Sequence, residues 1–145
     1  MEVLGADLHT LNRQHRITPA DLFSSYGPSA LAALKALHSH GYVHCDIKPA
    51  NFCIRVGAFA PSESIGTAIC GVPSAAPQQL QVVLVDYGFV HTWSPSAGEA
   101  GRWSFVGTPD FASATSLRGT SPSPRDDLEA LGFTLLELTV GGLPW

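Results

Sequence analysis

From Ser123 to Pro144 the chain carries a helix with almost no polar face. Ser123, Pro124, Asp126 and Asp127 announce its start with a cap, a first-turn proline and first-turn acids, and Gly141-Gly142-Leu143-Pro144 stops it. Between these signals Leu128, Leu131, Phe133, Leu135, Leu136, Leu138 and Val140 fall on nearly every side. A helix apolar all round belongs at the centre of a large domain or in a membrane. This one is too short, and too acidic at its start, to span a bilayer. It is expected to be a core helix with more protein packed around it than 145 residues supply.

Other stretches give shorter signals. Thr18, Pro19 and Asp21 open a second amphipathic helix with apolar residues at Phe23, Tyr26, Ala30, Leu34 and Leu37, ending near Gly41. Gly27 and Pro28 lie inside it, so a kink or break is expected there. Strands are expected at Tyr42–Val43, Phe52–Val56 and Leu80–Val85. The Ala/Ser/Gly/Pro-rich stretch between the last two, residues 57–79, reads as a solvent-exposed insertion.

Composition excludes several classes. A net charge of -4 without blocks of like charge offers no footprint for nucleic acid or an anionic membrane. Cys45, Cys53 and Cys70 match neither a disulfide framework nor a zinc site, which favours an intracellular location, in cytoplasm or nucleus.

The segment Tyr42-Val-His-Cys-Asp-Ile-Lys-Pro-Ala-Asn51-Phe places an aspartate, a lysine and an asparagine between two strand signals. A loop that orients an attacking hydroxyl, neutralises a moving phosphoryl group and holds a metal needs a carboxylate, a cation and a neutral oxygen ligand aimed at one point. Downstream, Val85-Asp86-Tyr87-Gly88 sets a second carboxylate just beyond an apolar strand, followed by glycine. Asp86 and Asn51 then form a pair of hard oxygen donors of the kind magnesium takes. Singly, each motif is a common turn; together, in this order and beside their strands, they are specific.

These residues resemble a family. H-C-D-I-K-P-A-N and D-Y-G stand where protein kinases carry H-R-D-L-x-x-x-N and D-F-G. The opening M-E-V-L-G-A-D-L, the stretch G-T-P-D-F-A-S at 107–113 and R-D-D-L-E-A-L-G at 125–132 are similar to the casein kinase 1, vaccinia-related kinase and tau-tubulin kinase group. The resemblance implies an α+β, kinase-like fold over residues 1–145: mostly the helical C-terminal lobe with short β-hairpins, and without the N-terminal lobe. It implies a serine/threonine protein kinase that uses ATP and Mg2+ on a protein substrate. Asp46 would orient the acceptor hydroxyl, Lys48 would stabilise the transferred phosphoryl group, and Thr108 would contact both. Asn51 and Asp86 would hold the metal. Met1 would be the gatekeeper, Glu2 and Leu4 would bond the adenine edge through their backbones, Asp7 would lie near the ribose and Cys53 beneath the base. His44, Gly88 and Asp127 carry over as structural supports, Asp127 through the backbone amides of the catalytic loop.

The chain also departs from the pattern. Cys45 replaces an arginine that, in other kinases, pairs with a phosphate on the activation loop, so control through that pairing is not expected. No glycine-rich loop or V-A-I-K-type lysine precedes the hinge-like segment, so the isolated chain is expected to be a fragment inactive by itself. Two alternatives stand beside the kinase reading. One is a pseudokinase or binding module without chemistry. The other is a small-molecule phosphotransferase, against which Lys48 and residues 107–113 count.

Overall fold

Why Asn51 and Asp86, far apart in sequence, come together follows from strand register. The computed structural model describes residues 4–55, 81–94 and 103–145. Leu4–Asp7 is strand β1, Phe52–Arg55 is β3 and Val82–Leu84 is β4, forming an antiparallel sheet in the order β1-β3-β4. β3 is central: Leu4 and Asp7 face Arg55 and Cys53 on one edge, while Phe52, Cys53 and Ile54 face Leu84, Val83 and Val82 on the other. Tyr42–Val43 (β2) pairs with His91–Thr92 (β5) in a separate two-stranded ribbon. The expected insertion at 57–79, together with Met1 and Glu2, lies outside the described residues.

The helix expected to kink at Gly27 does not break. Pro19–Asp21 (α2) opens with a capping box between Thr18 and Asp21, Leu22–Tyr26 is wound as a π-helical turn, and Gly27–Ser39 (α3) continues it. The wide turn lets the Gly27 N–H bond the Leu22 carbonyl, so the missing donor of Pro28 is accommodated without a break. It also shifts the buried face by one residue. Leu22 is 1% exposed and Phe23, expected in the core, is 69% exposed.

Ser123 and Asp126 form the capping box that starts Pro124–Val140 (α5), and Gly141, at φ 82°, ends it in the left-handed conformation. The helix buries Ala130, Leu131, Thr134 and Leu138 and leaves Leu128, Leu136 and Val140 exposed. Its inner face meets α3 and α1 (Leu8–Arg13) around Leu8, Leu11, Leu34 and Phe52. Fully burying a side chain such as Leu34 or Phe52 is worth roughly 1.5–3 kcal/mol each. A short helix, Ala114–Leu117 (α4), sits between the last loop and α5. No helix among the described residues is long and apolar enough to cross a membrane.

Candidate active site

The loop after β2 is held from behind by α5. Asp127, 1% exposed, accepts the His44 N–H on Oδ2 at 2.8 Å and the Cys45 N–H on Oδ1 at 3.0 Å. His38, from the end of α3, places Nε2 2.8 Å from the same Oδ2. These bonds stabilise Cys45 at φ 67°, a conformation that costs a non-glycine residue about 1–3 kcal/mol. The strained turn delivers Asp46 into the cleft.

Asp46 is 4% exposed and gathers three partners. Lys48 Nζ donates to Oδ2 at 2.8 Å and Asn51 Nδ2 donates to the same oxygen at 3.2 Å and to the Asp46 carbonyl at 2.8 Å. Thr108 Oγ1 donates to Oδ1 at 2.7 Å and accepts from Lys48 Nζ at 2.9 Å. A carboxylate offers about four lone-pair sites, and three are taken, so one, on Oδ1 beside Thr108, is unused among the described residues. Burial alone would raise the Asp46 pKa; the bonds from Lys48, Thr108 and Asn51 outweigh it and hold the group below its usual 3.8. Asp46 is therefore ionised at neutral pH.

Thr108 reaches Asp46 because of Gly107. At φ 99°, a Cβ on Gly107 would lie 2.3 Å from the Cys45 carbonyl oxygen, so only glycine lets this backbone lie against the loop. The Cys45 thiol, half-buried near Asp127, Asp126 and Asp46, is pushed up to about 12, first by burial and then by those carboxylates. It is a poor nucleophile there.

Asp86 is tied to the same loop through its neighbour. The Val85 N–H bonds the Asn51 carbonyl at 2.9 Å, and His44 Nε2 donates to the Val85 carbonyl at 3.1 Å. The chain then turns through Asp86 at φ 62°, leaving its carboxylate exposed, and Gly88 passes so close that a Cβ would lie 3.3 Å from Asp86 Oδ1. Asn51 spends its amide nitrogen on Asp46, which leaves Oδ1 as a free acceptor. Asn51 Oδ1 and the Asp86 carboxylate thus supply two hard oxygens, a set that fits magnesium, which keeps waters and takes phosphate oxygens for its other contacts. Among the described residues no group of three His, Cys, Asp or Glu side chains could hold a metal by itself.

The remaining expected residues line the sheet. Leu4 and Cys53 are half-buried on β1 and β3, and Asp7 and Cys53 are direct strand partners. Asp7 also caps α1, its oxygens accepting the Thr10 N–H and hydroxyl at 2.8 Å each, so any ribose contact would share them. Burial and Asp7 both raise the Cys53 pKa. Sequence reasoning missed His38, whose only signal was its place four residues after Leu34 on the inward face of α3. It also missed what Asp126 does.

The sequence that builds this site is similar to that of known proteins. The family model described as "Protein kinase domain" matches residues 1–145, and the chain belongs to the protein kinase family. Its similarity is to the casein kinase 1 and vaccinia-related kinase group. The casein kinase 1-like protein HD16 of Oryza sativa subsp. japonica is 31% identical over 152 residues, covering 100% of this chain and 19% of that protein. The serine/threonine-protein kinase VRK2 of Homo sapiens is 31% identical over 150 residues, covering 100% of this chain and 26% of that protein. The chain thus spans about a fifth to a quarter of these relatives' length. Protein kinases act on protein substrates and generally use ATP with Mg2+.

Proposed function

We propose that this chain carries the catalytic-loop half of an intracellular serine/threonine protein kinase. The observation that supports this best is the Asp46 cluster, in which one carboxylate, one cation and one hydroxyl from two distant segments meet within 3 Å of each other. In this reading the open lone pair on Asp46 Oδ1 takes the acceptor's O–H, orients its oxygen and receives its proton as the phosphoryl group is transferred. Lys48, already fixed by Thr108, balances the negative charge on that group. Thr108 holds the substrate-side wall against the loop. Asn51 and Asp86 would hold Mg2+, which supplies charge neutralisation between the phosphates of ATP. Leu4 with Glu2, Asp7 and Cys53 would receive the nucleoside end, Leu4, Asp7 and Cys53 lying on the β1–β3 edge.

The test is transfer from γ-labelled ATP with Mg2+ to a degenerate serine/threonine peptide library, using the full-length protein. Asp46→Asn is expected to lower turnover by about a hundredfold to ten-thousandfold. Near-normal turnover in that variant would remove Asp46 from the mechanism. Absence of transfer in the wild type, with a melting temperature that still responds to Mg·ATP, would favour a binding module without chemistry.

A further inference from the structure

The first turn of α5 carries two adjacent acids that serve different elements. Asp127 holds the loop that carries Asp46. Asp126, 7% exposed, is turned toward the segment that follows Thr108, and its two oxygens are used separately. Oδ2 closes the capping box, accepting the Ser123 N–H and hydroxyl at 2.8 Å each. Oδ1 accepts the hydroxyls of Ser113 and Thr115, both at 2.5 Å. Ser113 is 1% exposed and is itself the N-cap of α4, taking the Ser116 N–H at 3.0 Å.

The carboxylate therefore welds α4 and the end of the Gly107–Ser113 segment to α5. Burial alone would raise its pKa; the bonds from Ser113, Thr115 and Ser123 outweigh burial and keep it below the usual 3.8, so it accepts as a charge at neutral pH. Bonds to an ionised acceptor are roughly twice as strong as neutral ones. A cavity beside Asp46 is lined by Thr108, Phe111, Ser113, Ser116 and Asp126, which places this anchor on the same cleft as the Asp46 cluster. The two walls of the cleft are then carried by consecutive residues of one helical turn, their Cα atoms about 3.8 Å apart.

We infer that Asp126, acting through the Ser113 and Thr115 hydroxyls, is a positioning residue that sets where the substrate-side wall stands relative to Asp46 and so governs peptide affinity. The inference rests on the kinase reading for its functional half, while the anchor itself is independent of it. Two further side chains of α5 reach the same stretch, Arg125 Nη2 donating to the Thr115 hydroxyl at 3.1 Å and Glu129 Oε1 accepting the Ala114 N–H at 3.1 Å, but only Asp126 also holds Ser113.

The experiment uses Thr115→Val and the double variant Ser113→Ala/Thr115→Val in the full-length protein. Both leave the Oδ2 cap of α5 intact, and Thr115→Val also leaves the Ser113 N-cap of α4, so that a change already present in it reports the bond to Oδ1 and not the loss of the cap. Amide hydrogen exchange is expected to rise about tenfold over residues 111–120 while α5 stays protected. Peptide KM is expected to rise about tenfold with ATP KM changed by less than about twofold. Thr115→Ser, which keeps a hydroxyl, should behave as wild type in both. Unchanged exchange over 111–120, or an equal rise in peptide and ATP KM, overturns the inference. If the wild type transfers no phosphate, the kinase reading fails, and the exchange result alone decides whether the anchor exists.

Discussion

His44 shows what burial does to a titrating side chain at this site. It is 0% exposed, donates Nε2–H to the Val85 carbonyl and has no partner for Nδ1 among the described residues. A second proton would put a charge and an unsatisfied N–H in the core. Burial accordingly lowers its pKa below 6.5, against the pull of Val85, Asp127, Asp46 and Asp86. The unfolded chain binds a proton there first. Stability should therefore be full above pH 6.5, fall as pH drops through the interval down to the lower folded value, and level off below it. Melting temperature measured from pH 7.5 to 5 in wild type and His44→Gln tests this, since the comparison separates His44 from the other five histidines. An identical pH slope in the variant would show that His44 is not the group responsible. Asp46, Lys48 and Asn51 could be named from sequence because their types and spacing are themselves the chemistry, whereas Thr108, sixty-two residues beyond Asp46, was named only through the family resemblance. Ser113, Asp126 and His38 could not, because a hydroxyl, a first-turn acid and a helical histidine have commoner uses, and only tertiary contact gives these three theirs.

Among the elements, α5 was readable end to end, since its capping box and terminal glycine are local signals. The six residues of α1 carried only a single local signal, the Asp7 N-cap, and the two of β5 none, because β5 forms through its pairing with distant β2. The π-helical turn was half-readable: Gly27-Pro28 marked an irregularity, but composition did not say that a wider turn would replace a break. That turn makes a sharp prediction. A Cβ at Gly27 would lie 2.8 Å from the Leu22 carbonyl oxygen, with Leu135 of α5 3.7 Å away on the other side. In an ordinary helix Gly→Ala stabilises by about 1 kcal/mol. Here Gly27→Ala should destabilise by about 1–3 kcal/mol, read as a lower denaturant midpoint at unchanged slope. A raised midpoint would mean that the π turn is not maintained.

For the whole molecule, the proposed nucleotide site spans elements rather than residing in one. Mg·ATP binding only the folded chain at a hundred times its Kd would add about 2.7 kcal/mol of stability. For a domain of this size that corresponds to a rise of roughly 5–10 °C in Tm. Chelating Mg2+, or substituting Asp86→Asn, should abolish most of the rise; a full shift without the metal would separate Asp86 from nucleotide binding. The three-stranded order β1-β3-β4 adds a constraint of length. Of the proposed nucleotide contacts Leu4 and Asp7 lie on β1 and Cys53 on β3, Asn51 immediately precedes β3, and the proposed metal carboxylate Asp86 follows β4, which stands two strand spacings, or about 10 Å, from β1. The sheet thus acts as a ruler. A ligand confined to β1 and β3 stops short of Asp86, and one must extend across the central strand before it can engage both the β1 edge and that carboxylate.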